Sequence, residues 1–282
     1  MQTVQSRDGT SIAFDRLGQG PPIILVGGAF SYRAFPKLVQ LAKLLAERFT
    51  VVNYDRRGRG DSTDTSPYAV EREIEDLQAL VDVVGGSASV WGWSSGGALA
   101  LRAAGRGLRI EKLAVYEPPF MVDDSGHLPP ADFATRLAEV TAADDRSAAV
   151  KLYMTQGMGI PPVIVTLMRC TPFWSKLKAT ANTLPYDWAV LGNTMAGKPL
   201  SAAEWATVTT PTLVMAGEKS PAQLRNGGQA LADVLPNAQR RALARQSHNV
   251  SMKALAPVLA EFFAGRAEPQ STVRPTVQGA AG

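Results

Sequence analysis

Ser94 lies in the run Gly92-Trp93-Ser94-Ser95-Gly96, a Gly-x-Ser-x-Gly pattern. An apolar β-type stretch (Ala88, Val90, Trp91) leads into it, and an Ala- and Leu-rich segment over 98–105 follows at once. Strand, tight turn and helix in that order are the context a nucleophile elbow needs, whereas a Gly/Ser turn of no chemical use needs neither flanking element. The glycines at 92 and 96 leave room where side chains would collide, so the turn can hold Ser94 in a strained conformation. A serine there sits at a helix N-terminus, where free N–H groups favour developing negative charge. A free hydroxyl is a weak nucleophile and needs a base. The chain has two histidines, His127 and His248. His248 follows the last strand-like run, whereas His127 lies in a polar stretch beginning Asp123-Asp124-Ser125-Gly126. His248 is therefore the expected base, since neutral imidazole can take the serine proton near pH 7 and later return it.

The elements that must position these groups follow from periodicity. Residues 1–7 and 11–17 read as strands joined by the turn signal Asp8-Gly9. Ile23-Ile24-Leu25-Val26, 51–54, 88–91, 113–116 and 212–217 are short apolar runs of the kind buried on both sheet faces. Apolar residues at helical spacing predict helices over 34–49, 70–84, 221–235 and 253–264, and 239–244 is the last strand. Glu71, Glu73, Glu75 and Asp76 fall early in the second helix, where its dipole favours acids. The charged run Asp55-Arg56-Arg57-Gly58-Arg59-Gly60-Asp61-Ser62 reads as a tight, self-paired turn rather than a ligand loop.

Between about 120 and 210 the strand-like runs stop, and helical stretches over 133–143, 148–156, 163–168 and 174–181 alternate with Pro and Gly. This segment is rich in Met, Phe and Trp and reads as a helical insertion over the sheet, most of whose large apolar side chains are expected to hold the insertion together and a minority to line a pocket. After Gly265 apolar periodicity is lost, predicting a disordered tail over 266–282.

The 282 residues carry 29 basic and 25 acidic side chains, a net +4 with no basic stripe, which argues against a nucleic-acid partner. One cysteine excludes an internal disulfide or a Cys-rich metal cluster and fits a reducing compartment. No long apolar span or export signal is evident, so a cytoplasmic protein with no membrane partner is expected. No cofactor or metal is expected, and the oligomeric state is not readable.

Taken together, the elbow, the 55–62 turn, the 211–217 strand and His248 make the chain resemble the α/β-hydrolase superfamily to about Gly265. The resemblance implies an α/β fold: a mostly parallel sheet with helices on both faces, a core of 1–119 and 211–265, and a helical cap over 120–210. It implies Ser94 as nucleophile and His248 as base, with an oxyanion hole built from the backbone N–H groups of Ser95 and Ala29. Similar proteins carry His-Gly-x at the latter loop; here Gly27-Gly28-Ala29 stands there, and Gly27 is expected to leave extra room. They also place an aspartate three residues after the glycine ending the seventh strand, where this chain has Ser220. Glu117, at the end of the sixth strand as in some relatives, is taken as the acid instead, with Glu218 or no carboxylate as alternatives. The expected activity is cleavage of a carboxylic ester, thioester or lactone in a small hydrophobic substrate. Alternatives are a cofactor-free lyase or oxygenase using His248 as base, and an inactive ligand-binding protein on the same fold.

Overall fold

The computed structural model describes residues 1–265, so the tail expected over 266–282 lies outside the described residues. Eight strands form one sheet: β1 (Gln2–Gln5), β2 (Ser11–Leu17), β3 (Pro22–Val26), β4 (Thr50–Tyr54), β5 (Ala88–Trp93), β6 (Ile110–Tyr116), β7 (Thr212–Gly217) and β8 (Ala238–Leu243). Their spatial order is β1-β2-β4-β3-β5-β6-β7-β8. β1 and β2 pair antiparallel, as do β2 and β4, and every other pairing is parallel. This is the α/β-hydrolase architecture that the resemblance implies.

Alternation along the strands splits the core in two. Ile23, Leu25, Trp91, Tyr116 and Met215 face α1 (Pro36–Leu45) and α11 (Met252–Ala264). Ile24, Val26, Val90, Val115 and Val214 face the opposite layer, α2 (Val70–Val83), α3 (Ser95–Gly105) and α10 (Ala222–Val234). Both faces are covered, which is why these strands read as continuous apolar runs. Each Leu, Ile or Val withdrawn from water here contributes ~1.5–3 kcal/mol.

Between β6 and β7 come α4 (Phe133–Ala142), α5 (Arg146–Leu152), α6 (Pro162–Met168), α7 (Phe173–Ala179), α8 (Leu184–Leu191) and α9 (Ala202–Trp205). A π-helical turn over Tyr153–Gly157 ends the helix expected to run to 156. The helix α8 has no counterpart in the sequence reading. Its residues Leu-Pro-Tyr-Asp-Trp-Ala-Val-Leu are apolar on nearly all sides, so they show no helical period.

The strand order reverses at β3, which returns through α1 to β4 on one side and meets β5 on the other. The crevice at the carboxyl ends of two such strands is where open α/β sheets bind ligands. Here those ends are the 27–29 loop and Ser94.

Candidate active site

One residue, Ser94, separates β5 from α3, and it has φ 56° and ψ −128°. Its N–H donates to the Tyr116 carbonyl at 3.0 Å, and its own carbonyl accepts from Gly97 N at 2.8 Å. That left-handed backbone in a non-glycine residue is a strained state held by its surroundings. Gly96 permits it: a Cβ there would lie 2.3 Å from the Val26 carbonyl oxygen. The close approach docks the first turn of α3 on the end of β3.

Val26 pairs in register with Gly92, which sets the 27–29 loop beside the elbow. Ala29 lines the same cavity as Ser94. Among the described residues, neither the Ala29 N–H nor the Ser95 N–H donates to a protein acceptor. The extra room expected beside Gly27 is absent. A Cβ there would stand 2.2 Å from Ser31 Oγ and 3.0 Å from Leu38 Cδ1, so the Ser31 side chain fills the space. Its hydroxyl donates to the Gly28 carbonyl at 2.6 Å.

Glu117 ends β6 next door, also with a positive φ of 46°, and is 0% exposed. Its Oε2 accepts from His248 Nδ1 at 2.7 Å. Its Oε1 accepts from Gly217 N at 2.7 Å and from the Ser220 hydroxyl. A buried carboxylate is tolerated when its oxygens are supplied with donors in this way. The His248 loop is pinned by Tyr116 Oη donating to the Ser247 carbonyl at 2.7 Å and by Lys219 N donating to the Gln246 carbonyl at 2.8 Å. Burial, with the nearby Glu117 charge, pushes the Tyr116 phenol well up, so it stays a donor. With Nδ1 committed to the carboxylate, the far ring nitrogen Nε2 is left available on the cavity side. Glu218 is exposed and accepts from Arg245 N at 3.2 Å, so it is not joined to the histidine.

His248 is 33% exposed and opens with Ser94 onto one cavity of about 350 Å³. No hydrogen bond joins the Ser94 hydroxyl to the His248 ring among the described residues. Catalytic bonds of this kind often tighten only when substrate binds. Phe30, Trp93, Met154, Trp188 and Met195 are among the cavity walls, and Met158 and Phe173 are half-exposed in its lining. Its lining holds no Asp, Glu, Lys or Arg among the described residues. His127 stands apart from this lining, exposed, with its Nε2 2.7 Å from the Gln156 carbonyl oxygen.

The 55–62 turn is structural, as the sequence suggests, but its arginines are not paired within it. Asp55 and Asp61 both take Arg33 instead. Arg56 forks onto Glu73 through Nε and Nη2, both at 2.6 Å, and Arg57 forks onto Asp76 at 2.8 and 2.7 Å. Glu73 and Asp76 are buried, so ion pairing rather than the helix dipole accounts for these two acids. Arg56 Nη1 and Arg59 Nη2 also reach the two oxygens of Asp187 on α8, at 2.6 and 2.5 Å. Burial opposes the charge on Arg56, but Glu73 and Asp187 outweigh it and raise its pKa well above the ordinary range. Burial instead lowers that of Arg59, against the pull of Asp187. Sequence reasoning missed Asp187. The available signal was a single acid in an otherwise apolar run.

Comparison with known proteins agrees with this fold. The model of the Alpha/beta hydrolase family matches residues 23–261. An alpha/beta hydrolase from Sphaerobacter thermophilus is 53% identical, with 93% of this chain and 100% of that chain covered and a TM-score of 0.86. An enol-lactonase from Burkholderia xenovorans is 20% identical over 93% of this chain and 99% of its own, with a TM-score of 0.68. An esterase from Exiguobacterium antarcticum is 18% identical over 93% and 98%, with a TM-score of 0.67. At those two identities the likeness is one of fold. With a serine elbow at the switch point of the sheet and a family match over most of its length, the chain belongs to the alpha/beta hydrolase family.

Proposed function

We propose that the chain is a serine hydrolase that cleaves a neutral, hydrophobic carboxylic ester, thioester or lactone through an acyl-enzyme on Ser94. The observation that carries this reading is the 2.7 Å bond from buried Glu117 to the His248 ring, which opens onto the cavity containing Ser94. Ser94 Oγ attacks the substrate carbonyl carbon while His248 Nε2 takes its proton. The carbonyl oxygen, now negative, is met by the N–H groups of Ala29 and Ser95, donors aimed where charge develops. Collapse of this intermediate expels the alcohol, thiol or lactone oxygen, which takes the proton back from His248. Water, activated by the same imidazole, then releases the acid. Glu117 keeps the proton on Nδ1, orients the ring and stabilises its transient positive charge.

The uncharged lining supports a neutral substrate, because a carboxylate or ammonium brought there would be desolvated without a partner. A volume of about 350 Å³ lies at the small end of the range for small-molecule sites. The enol-lactonase and esterase among the fold relatives fit carbonyl chemistry of this kind.

The test is labelling with a fluorophosphonate, followed by hydrolysis of p-nitrophenyl esters of graded chain length. One label per chain, mapped to Ser94 and lost in His248→Ala, is the expected result. A protein that neither labels nor turns over any ester is a binder. Ester turnover with no trappable acyl-Ser94 assigns the hydrolysis to water activated by His248 without an acyl-enzyme, and leaves the proposed Ser94 mechanism overturned.

A further inference from the structure

Asp187 is 0% exposed, on the helix α8 that also contributes Trp188 and Leu191 to the cavity wall. A carboxylate so placed must be paired to be tolerated, and its partners are unusual in what they touch next. Besides Arg56, Oδ1 accepts the hydroxyl of Ser95 at 2.7 Å. Ser95 is the residue after the elbow serine and the first of α3. Oδ2 accepts from Arg59 Nη2, and the same guanidinium donates through Nη1 to the Gly28 carbonyl at 2.8 Å and to the Ser31 carbonyl at 3.1 Å. Its Nε donates to Thr183 Oγ1 at 2.9 Å, just ahead of α8.

The Gly28 carbonyl thus takes three donors: Arg59 Nη1, Ser31 Oγ at 2.6 Å and Ser31 N at 3.2 Å. In a planar trans peptide the C=O of one residue and the N–H of the next point in opposite directions. Clamping the Gly28 oxygen therefore fixes the direction of the Ala29 N–H. Holding the Ser95 hydroxyl likewise limits rotation of the first turn of α3, where the Ser95 N–H is carried. One buried ion pair therefore constrains both sides of the oxyanion hole.

We propose that Asp187 and Arg59 are positioning residues for the oxyanion hole. Asp187 holds Ser95 through its hydroxyl, and Arg59 holds the Gly28–Ala29 peptide through its carbonyl. The proposal rests on the assignment of the Ala29 and Ser95 N–H groups under the proposed function. It also makes α8 a shared element. The helix whose Trp188 and Leu191 line the cavity is the one whose Asp187 sets the donors, so a misplaced acyl group there is expected to disturb transition-state stabilisation as well as binding.

The decisive variant is Ser95→Ala, which removes the hydroxyl but leaves the backbone N–H and every ion pair of Asp187 intact. Steady-state kinetics on the best p-nitrophenyl ester, affinity for phenylboronic acid, which forms a tetrahedral adduct on a reactive serine, and thermal melting are measured together. The expected result is a kcat lower by about tenfold to a hundredfold, the scale of a small misplacement of catalytic groups. KM is expected to stay within about twofold and boronate affinity to fall in step with kcat/KM, because the lost interaction acts only on the tetrahedral state. Asp187→Asn should show the same split more strongly if it folds. Wild-type kcat and boronate affinity in Ser95→Ala overturn the proposal, and so does a lower Tm with unchanged kcat per folded molecule, which would mark a purely structural contact. A wild-type protein with no ester turnover and no Ser94 labelling instead removes the hydrolase reading, and this inference with it.

Discussion

Ser220 donates its hydroxyl to Glu117 Oε1, so the residue standing where similar enzymes place their acid supports a buried carboxylate located one strand away. The β6 and β7 ends are neighbours in the sheet, and the Glu117 N–H itself donates to the Met215 carbonyl at 3.0 Å. A carboxylate at the end of either strand can therefore lie near the loop after β8 that carries His248. The serine turns what would be an empty acid position into one of the donors that a buried carboxylate needs.

On the proposed mechanism, replacing Glu117 by Gln removes the charge that keeps the proton on Nδ1 and stabilises the imidazolium. We expect kcat to fall by about three to four orders of magnitude, as loss of the orienting acid does in related triads. Glu218→Gln, altering an exposed side chain bonded to Arg245 N, should leave kcat within about twofold of wild type. Steady-state kinetics on folded protein checks both, and collapse in the Glu218 variant with an active Glu117 variant reverses the assignment.

Ser220→Ala leaves the buried carboxylate with one donor fewer. Removing one partner of a buried polar group costs ~1–3 kcal/mol, and each kcal/mol lowers Tm by about 2–4 °C in a chain approaching this size. Turnover should drop far less than in Glu117→Gln, because the 2.7 Å bond to His248 remains. Melting curves and kcat measured on the same preparation separate these two effects.

Acyl charge offers a direct test of the cavity. A p-nitrophenyl ester with a straight four- to six-carbon acyl chain should be a far better substrate than one of equal length ending in a carboxylate. We expect a gap in kcat/KM of about a hundredfold or more, since the charged end meets no cationic side chain in the lining among the described residues. Equal rates for the two would mean that the acyl group does not occupy this cavity.

Asp8, in the β1–β2 turn, offers a pH test away from the site. Partial burial pushes its carboxyl up, but hydrogen bonds from Arg57 and Thr10 outweigh this and hold its pKa at about 2, below the ordinary 3.8. The folded-state value is depressed, so the contribution to stability is present above about pH 4 and lost as pH falls toward 2. Wild type should melt above Asp8→Asn at pH 5, and the gap should narrow between pH 4 and pH 2. A gap that does not change with pH would mean that the charge on Asp8 contributes nothing through its pairing with Arg57.

What the sequence alone determined is local. Ser94 is legible because strand, glycine, serine, glycine and helix follow within a few residues, and because sterics at a tight turn act over that range. The buried strands are legible because a strand covered on both faces is apolar throughout, and Asp8-Gly9 marks its hairpin by the turn conformation it favours. His248 could be named from its place after the last strand in a chain with only two histidines. The tertiary structure alone decided what partners do across distance. It joined His248 to Glu117 rather than to Glu218, because two residues 131 positions apart meet only when the end of β6 and the loop after β8 converge. It sent Arg56 and Arg59 to Asp187 rather than to the aspartates of their own turn, filled the space beside Gly27 with Ser31, and formed α8 from residues with no helical period. Hydrogen bonds and ion pairs depend on distances of about 3 Å, and only the packed chain sets those distances between residues far apart in sequence.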